Sequence, residues 1–285
     1  MRSRSNAKTT DMTLIIDMFS GTGELARAVA AGLDKPTQIL SLSDSYGPAR
    51  KYLKLRFPGI EVHKDFRDQD VPQGSIVTIG ARSSLIHEAL DKAVAGGADL
   101  IVAENVPGAH RTCLDLANWL EIEHGYSTTV SSAGAWEVGA PHRRERIMLV
   151  VARRSFKPRC IEVVRQVEPR HMVPTPTASS STGPGRSGRA GGANLQTWVH
   201  EGSRPSPLDS TLWVHTTGLP EPRLKDDKER LNAAFVEWLM GLPSAHATGL
   251  SRTARIRLAG NAVVRLQARL MLQRSLTAIN NERNH

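Results

Sequence analysis

Asp17-Met-Phe19-Ser-Gly21-Thr22-Gly23-Glu24 ends one short apolar run, Leu14-Ile15-Ile16, and opens a helical stretch. Glycines at such a junction let the backbone turn sharply and approach a ligand closely. Asp44 follows a second apolar run about twenty residues on, the spacing at which a carboxylate grips a ribose diol. Each feature also has a plainer reading: the glycines fit a tight strand-to-helix turn with no ligand, and Asp44 fits a cap for the helix from Ala49. The thiols are two, Cys113 and Cys160, far apart and without metal-ligand spacing. Neither a disulfide framework nor a zinc site is expected. Cys113 falls inside a helical stretch, where a buried small hydrophobe is the ordinary reading.

The elements that must position these residues alternate. Strands are expected at 14–16, 38–42, 76–79, 100–103 and 147–151, with helices at 24–31 (ended by Gly32), 49–57, 84–95 and 112–124. Alternation of this kind predicts an α/β domain, a mostly parallel sheet covered by helices. Helical periodicity returns at 231–240 and again at 261–275, so the chain is expected to rejoin the first domain at its end. Before these stretches, residues 174–208 are dominated by Pro, Thr, Ser, Gly and Arg, too polar for a core of their own. The expected organisation is a loose tail (1–12), a first domain (13–154), a smaller loop-rich lobe (155–225) and C-terminal helices completing the first domain (226–280).

At 285 residues with 40% hydrophobic residues, the chain can bury a sizeable core. Its 37 Lys and Arg against 28 Asp and Glu give a net charge of +9, which favours polyanionic partners through phosphate contacts. No apolar run of signal-peptide or membrane-span type is present, so a soluble, reducing, cytoplasmic setting is expected.

The motifs taken in order resemble the DNA cytosine-5 methyltransferase family. Asp17-Met-Phe-Ser-Gly-Thr-Gly23 looks like its first motif. Glu104-Asn105-Val106 after a strand, His142-Arg-Arg144-Glu-Arg146 in place of Gln-x-Arg-x-Arg, and the stretches 231–243 and 258–264 follow in the family's order. The Pro-Thr-Pro and Gly-Arg-rich stretch looks like the variable region of phage-type members. The resemblance implies a Rossmann-like S-adenosylmethionine-dependent fold with a target-recognition lobe, and S-adenosylmethionine as cofactor. By position, Phe19 would pack on the adenine, while Gly21, Thr22 and Gly23 approach the amino-acid end. Asp44 would hold the ribose, Asp65 the adenine amino group, Gly80 would lie at the pocket, and Asn261, Ala262 and Val263 would close it. Glu104 and Arg146 would bind an extruded cytosine with Arg144 in support. Double-stranded DNA would meet Arg186, Arg189 and Gln196, and no metal is implied. Two positions depart from the pattern: Glu24 replaces the usual third glycine and puts a charge near the pocket, and Arg265 stands where the family has proline, loosening the helix start.

One departure touches the chemistry itself. Cytosine C5 is a poor nucleophile, and the family adds a cysteine thiolate to C6 to activate it. That cysteine follows a proline in a loop after the fourth strand, yet here the strand ending at Gly80 runs through Ala81-Arg82-Ser83-Ser84 into the next helix. Two readings therefore stand: an enzyme that methylates DNA cytosine with a substitute nucleophile or a loop supplied by a partner methyltransferase subunit, and a catalytically inactive paralogue that binds DNA and cofactor. Transfer to an already nucleophilic amino nitrogen is a third, which no residue singles out.

Overall fold

The structure is a computed structural model that describes residues 12–80, 83–157, 159–161, 207–243 and 249–284. Seven strands form one sheet: β1 (Thr13–Met18), β2 (Thr37–Ser43), β3 (Glu61–His63), β4 (Ile76–Ile79), β5 (Leu100–Asn105), β6 (Tyr126–Gly134) and β7 (Glu145–Arg153). Their order is β3-β2-β1-β4-β5-β7-β6. β1 to β5 pair in parallel, while β7 runs antiparallel to both β5 and β6. The expected mostly parallel sheet is thus observed. Strand order reverses between β1 and β4, and at such a switch point the carboxyl ends of the strands leave a crevice for ligands.

Alternation along each strand sends side chains to opposite faces. Ile15, Ile76, Leu100, Val102, Met148 and Val150 enter one buried cluster, and Ile16, Val77, Ile79, Ile101, Leu149 and Val151 another. Both faces are covered, which is why these strands read as continuous apolar runs. On the first face lie α1 (Glu24–Gly32) and α8 (Arg265–Glu282); on the second lie α3 (Ser83–Ala95) and α4 (His110–His124). α2 (Gly47–Arg56) forms a smaller cluster with Leu42 and Leu258. The later elements α5 (Pro207–Thr217), α6 (Ala233–Leu239) and α7 (Arg252–Asn261) bring Trp213, Phe235, Trp238 and Ala259 into the first cluster. The segment after the loop-rich stretch therefore packs on the same core as β1.

Several boundaries differ from the sequence reading. β3 is three residues long and β6 is rich in Ser and Thr, so neither presents an apolar run. β6 is the outer strand beyond β7, where one neighbour suffices. The helix expected over 261–275 starts later, at Arg265, and runs on to Glu282, and a separate unexpected helix, α7, precedes it. α7 ends at Asn261, Ala262 is extended (φ −67°, ψ 159°), and α8 begins at Arg265. Apolar periodicity ran across this break because Leu258, Ala262 and Val263 are all buried.

Candidate functional site at the switch point

The glycine turn leaves β1 at the crevice. Gly21 and Gly23 both take left-handed backbone (φ 54° and 72°), and so does Phe19 (φ 58°). That conformation is costly for a phenylalanine, and such strain gathers at ligand sites. At Gly23 a Cβ would lie 2.7 Å from the Phe57 ring, so only glycine fits. Ser20 ties the turn down: its hydroxyl donates to the Asp17 carbonyl at 2.9 Å and accepts from the Ser43 amide at 3.0 Å.

Asp44, just past β2, faces this turn. Its Oδ2 accepts from the Gly21 amide and its Oδ1 from the Tyr46 amide, both at 2.8 Å. Burial pushes the Asp44 carboxyl upward, against those amides and the charges of Arg50 and Arg257. Each oxygen keeps a second lone pair for a hydroxyl donor. Phe19 meets Phe66 with ring centroids 4.8 Å apart, and Gly80 closes the group, its amide donating to Met18 O at 3.1 Å. Asp65 directly precedes Phe66, and its carboxylate takes the Arg67 amide and guanidinium, whose fork also reaches Glu88. Those contacts hold the Asp65 carboxyl below its ordinary range.

Beneath the turn, Asp17 is 1% exposed. Thr78 Oγ1 donates to its Oδ1 at 2.5 Å, and its Oδ2 has no hydrogen-bond partner. Burial raises this carboxyl to about 7.

The C-terminal segment closes over the crevice through Arg144. Its guanidinium donates to Gly260 O at 2.9 Å and Ala262 O at 2.7 Å, fixing the backbone around Asn261, Ala262 and Val263. Burial lowers Arg144 to about 9, so it remains charged at neutral pH. Gln267 reinforces the tie by donating to Arg144 O and Ala133 O. His142, at the position of the family glutamine, donates from Nε2 to Leu239 O at 2.8 Å, and burial drives its pKa to about 4.

On β5, Glu104 forms an ion pair with Arg146 at 2.8 Å, both side chains nearly buried. Glu104 lies within the strand and caps no helix. Burial raises its carboxyl and lowers the Arg146 guanidinium, each opposed by the other's charge. The pairing of Ile79 with Ala103 puts Gly80 beside Glu104. In the sequence, residues 80 to 82 separate β4 from α3.

Both cysteines are free thiols. Cys113 is fully buried among α3, α4 and the strands, and burial raises its thiol. Cys160 bridges to Leu33 after β7. It lies at the amino ends of the parallel strands, since β7 ends beside the start of β5 and Leu33 precedes β2; its thiol is raised to about 11. Arg186, Arg189 and Gln196 lie outside the described residues. Among the described residues no group of His, Cys, Asp and Glu could hold a metal, and no helix is long and apolar enough to cross a membrane.

The sequence reading missed one contact. Glu24 is 2% exposed, and its Oε2 takes the Arg265 guanidinium at 2.5 Å. The two departures from the family pattern therefore meet, at the first residue of α8. The signal was present in the sequence as two unmatched, opposite charges, but nothing in their spacing, 241 residues apart, joined them.

No family model matches the chain, and no curated protein matches it in sequence. Solved structures do match in fold. A protein described as a DNA modification methyltransferase encoded within prophage Cp (E. coli) is 16% identical, with 94% of this chain and 99% of that one covered and a TM-score of 0.57. The S. pombe Dnmt2 methyltransferase is 13% identical (96% and 100% covered, TM-score 0.53), and the Entamoeba histolytica methyltransferase EhMeth 14% (93% and 98%, 0.53). The chain thus shares the α/β fold of these solved methyltransferases.

Proposed function

We propose that this chain binds S-adenosylmethionine and double-stranded DNA in the manner of a DNA cytosine-5 methyltransferase, and that by itself it does not perform the covalent step. The observation that carries this reading is the surroundings of Glu104: Gly80 beside it, Arg146 paired to it, and a connection of Gly, Ala and Arg where the family nucleophile would stand. The residues fit the cofactor. Asp44 is organised by backbone amides with lone pairs left for a ribose diol, Phe19 is held in a strained conformation at the crevice, and Gly23 admits no side chain. The bound cofactor would supply an electrophilic methyl on a sulfonium.

What the chain's own residues do is bind and orient. Asp44 and the Gly21–Gly23 turn hold the nucleoside. Glu104 and Arg146, already paired, offer a carboxylate and a guanidinium to the polar edge of an extruded cytosine. Arg144 keeps the 260–262 backbone over the pocket. With no thiolate to add at C6, C5 stays a weak nucleophile, and loss of such a group costs many orders of magnitude in rate. The surplus of positive charge, with Arg186, Arg189 and Gln196 in the variable lobe, serves phosphate and base contacts.

The test is incubation of purified protein with duplex DNA and methyl-labelled S-adenosylmethionine, with binding and nucleoside analysis in parallel. Cofactor and DNA binding without label is expected. Label in 5-methylcytosine overturns the non-catalytic reading and favours a substitute nucleophile. Absence of cofactor binding overturns the pocket itself, as does an Asp44→Ala variant whose affinity is unchanged.

A further inference from the structure

The Glu24–Arg265 pair has no counterpart in the family pattern and lies where two helices begin. Glu24 is the first residue of α1 and Arg265 the first of α8. Both amino ends therefore point their free N–H groups and positive dipole ends into one region. An arginine at a helix start is electrostatically misplaced, and a carboxylate buried to 2% exposure needs a partner. Each residue answers the other's need. The guanidinium uses Nε and Nη2 on the one oxygen, Glu24 Oε2, which leaves Nη1 free of Glu24. The Arg265 side chain is 36% exposed, so those remaining N–H groups can be reached.

The neighbourhood is that of the cofactor's amino-acid end. Thr22, in the glycine turn, lines a small cavity with Leu258 and Ala259 at the end of α7. The 258–263 segment therefore lies over the turn, and Arg265 follows directly from it. The local charges are the Glu24 carboxylate against the Arg27 and Arg265 guanidinium groups and two helix amino ends, with Glu237 and Arg255 of the same cavity lining paired to each other, a surplus that suits an anion.

We propose that Arg265, held in place by Glu24, is the specificity determinant for the α-carboxylate of the cofactor's amino-acid moiety. This rests on the cofactor reading above. Glu24 is too buried to touch the ligand and acts as a positioning residue. Arg265 supplies the fork, which a carboxylate matches geometrically.

Calorimetric titration of the full chain with S-adenosylhomocysteine and with 5′-methylthioadenosine, which lacks the amino acid, separates the possibilities. Arg265→Gln is expected to weaken S-adenosylhomocysteine about tenfold or more, the loss of a charge-assisted bond, and to leave methylthioadenosine unchanged. Arg265→Lys keeps the charge without the fork and is expected to weaken only S-adenosylhomocysteine, by about threefold. It decides the matter if Arg265→Gln does not fold. Equal losses for both ligands, or no loss for either, overturn the proposal and leave the cofactor reading standing. A wild-type chain that binds neither ligand overturns that reading and this one together.

Discussion

The two sides of the crevice are built on one sheet and held together by different means. On the β1–β2 side the polar groups are set by nearby backbone: Asp44 by the Gly21 and Tyr46 amides, Ser20 by Asp17 O and the Ser43 amide. On the β5–β7 side they are set by charged side chains and by chain more than ninety residues away: Arg146 on Glu104, His142 on Leu239 (97 residues apart), Arg144 on Gly260 and Ala262 (116 and 118). The first side is organised within one βαβ unit. On the second, the Glu104–Arg146 pair is made between adjacent strands, while the contacts of His142 and Arg144 exist only once the C-terminal segment has docked. Arg144 and His142 therefore have a structural duty besides any contact with a ligand.

The largest expected effect tests that dependence. Arg144→Ala removes two charge-assisted bonds from a buried guanidinium and leaves the carbonyls of Gly260 and Ala262 without it. Unfolding free energy in urea should fall by roughly 3–6 kcal/mol. Asp44→Ala, on the other side, should cost only about 1 kcal/mol of stability while weakening cofactor binding. Equal stability losses from the two would erase the contrast.

Glu104→Gln comes next. The isostere keeps volume and hydrogen-bonding capacity but leaves the Arg146 charge unpaired, so a loss of roughly 2–3 kcal/mol is expected. Cofactor affinity should hold, because no described contact joins Glu104 to the turn or to Asp44. A parallel drop in cofactor affinity would show that the two sides are one unit.

How far the sequence spoke follows the same division. The glycine turn, Asp44 and β1, β2, β4 and α1 were legible because local spacing specifies them. Glu104 and Arg146 were legible only through resemblance, since residue type alone also allowed a helix cap or solvated surface pairs; burial on adjacent strands decides against both. Arg144 as a tie to 260–262, His142 as a neutral anchor and the Glu24–Arg265 pair were not legible, because long-range packing makes them and periodicity carries no trace of it. β3 and β6 escaped for want of an apolar run, and the α7–α8 break because burial continued across it.

The sides should also respond to pH with opposite signs. Asp17 has a folded pKa of about 7 against an ordinary 3.8, so the folded state keeps a proton that the unfolded chain releases. Its contribution is full below about 3.8 and is lost as pH rises through 7. His142 has a folded pKa of about 4 against 6.5. Its contribution is present above 6.5 and is lost as pH falls towards 4. Between about 4 and 6.5 the slopes oppose, each at most about 1.4 kcal/mol per pH unit. Asp17→Asn should unmask a rise of stability with pH in this window, and His142→Gln a fall. Denaturation midpoints at half-unit pH steps check both; slopes of one sign in the two variants would contradict the assignment.

The smallest effects are expected at the thiols, and they bear most directly on the chemistry. Cys160 is half-buried beside Leu33 at the amino ends of the parallel strands, so Cys160→Ala should shift stability by no more than about 0.5 kcal/mol. Cys113 is fully buried, and Cys113→Ala should cost about 1 kcal/mol. Neither change should alter cofactor or DNA binding, because a thiol raised by burial is a poor source of thiolate. Should wild-type protein transfer label to DNA, loss of that transfer in one of these variants with binding intact would identify the nucleophile. Label that survives both substitutions would instead require acceptor chemistry without an enzyme thiol, and the paired Glu104 and Arg146 would then be the groups left to orient the base.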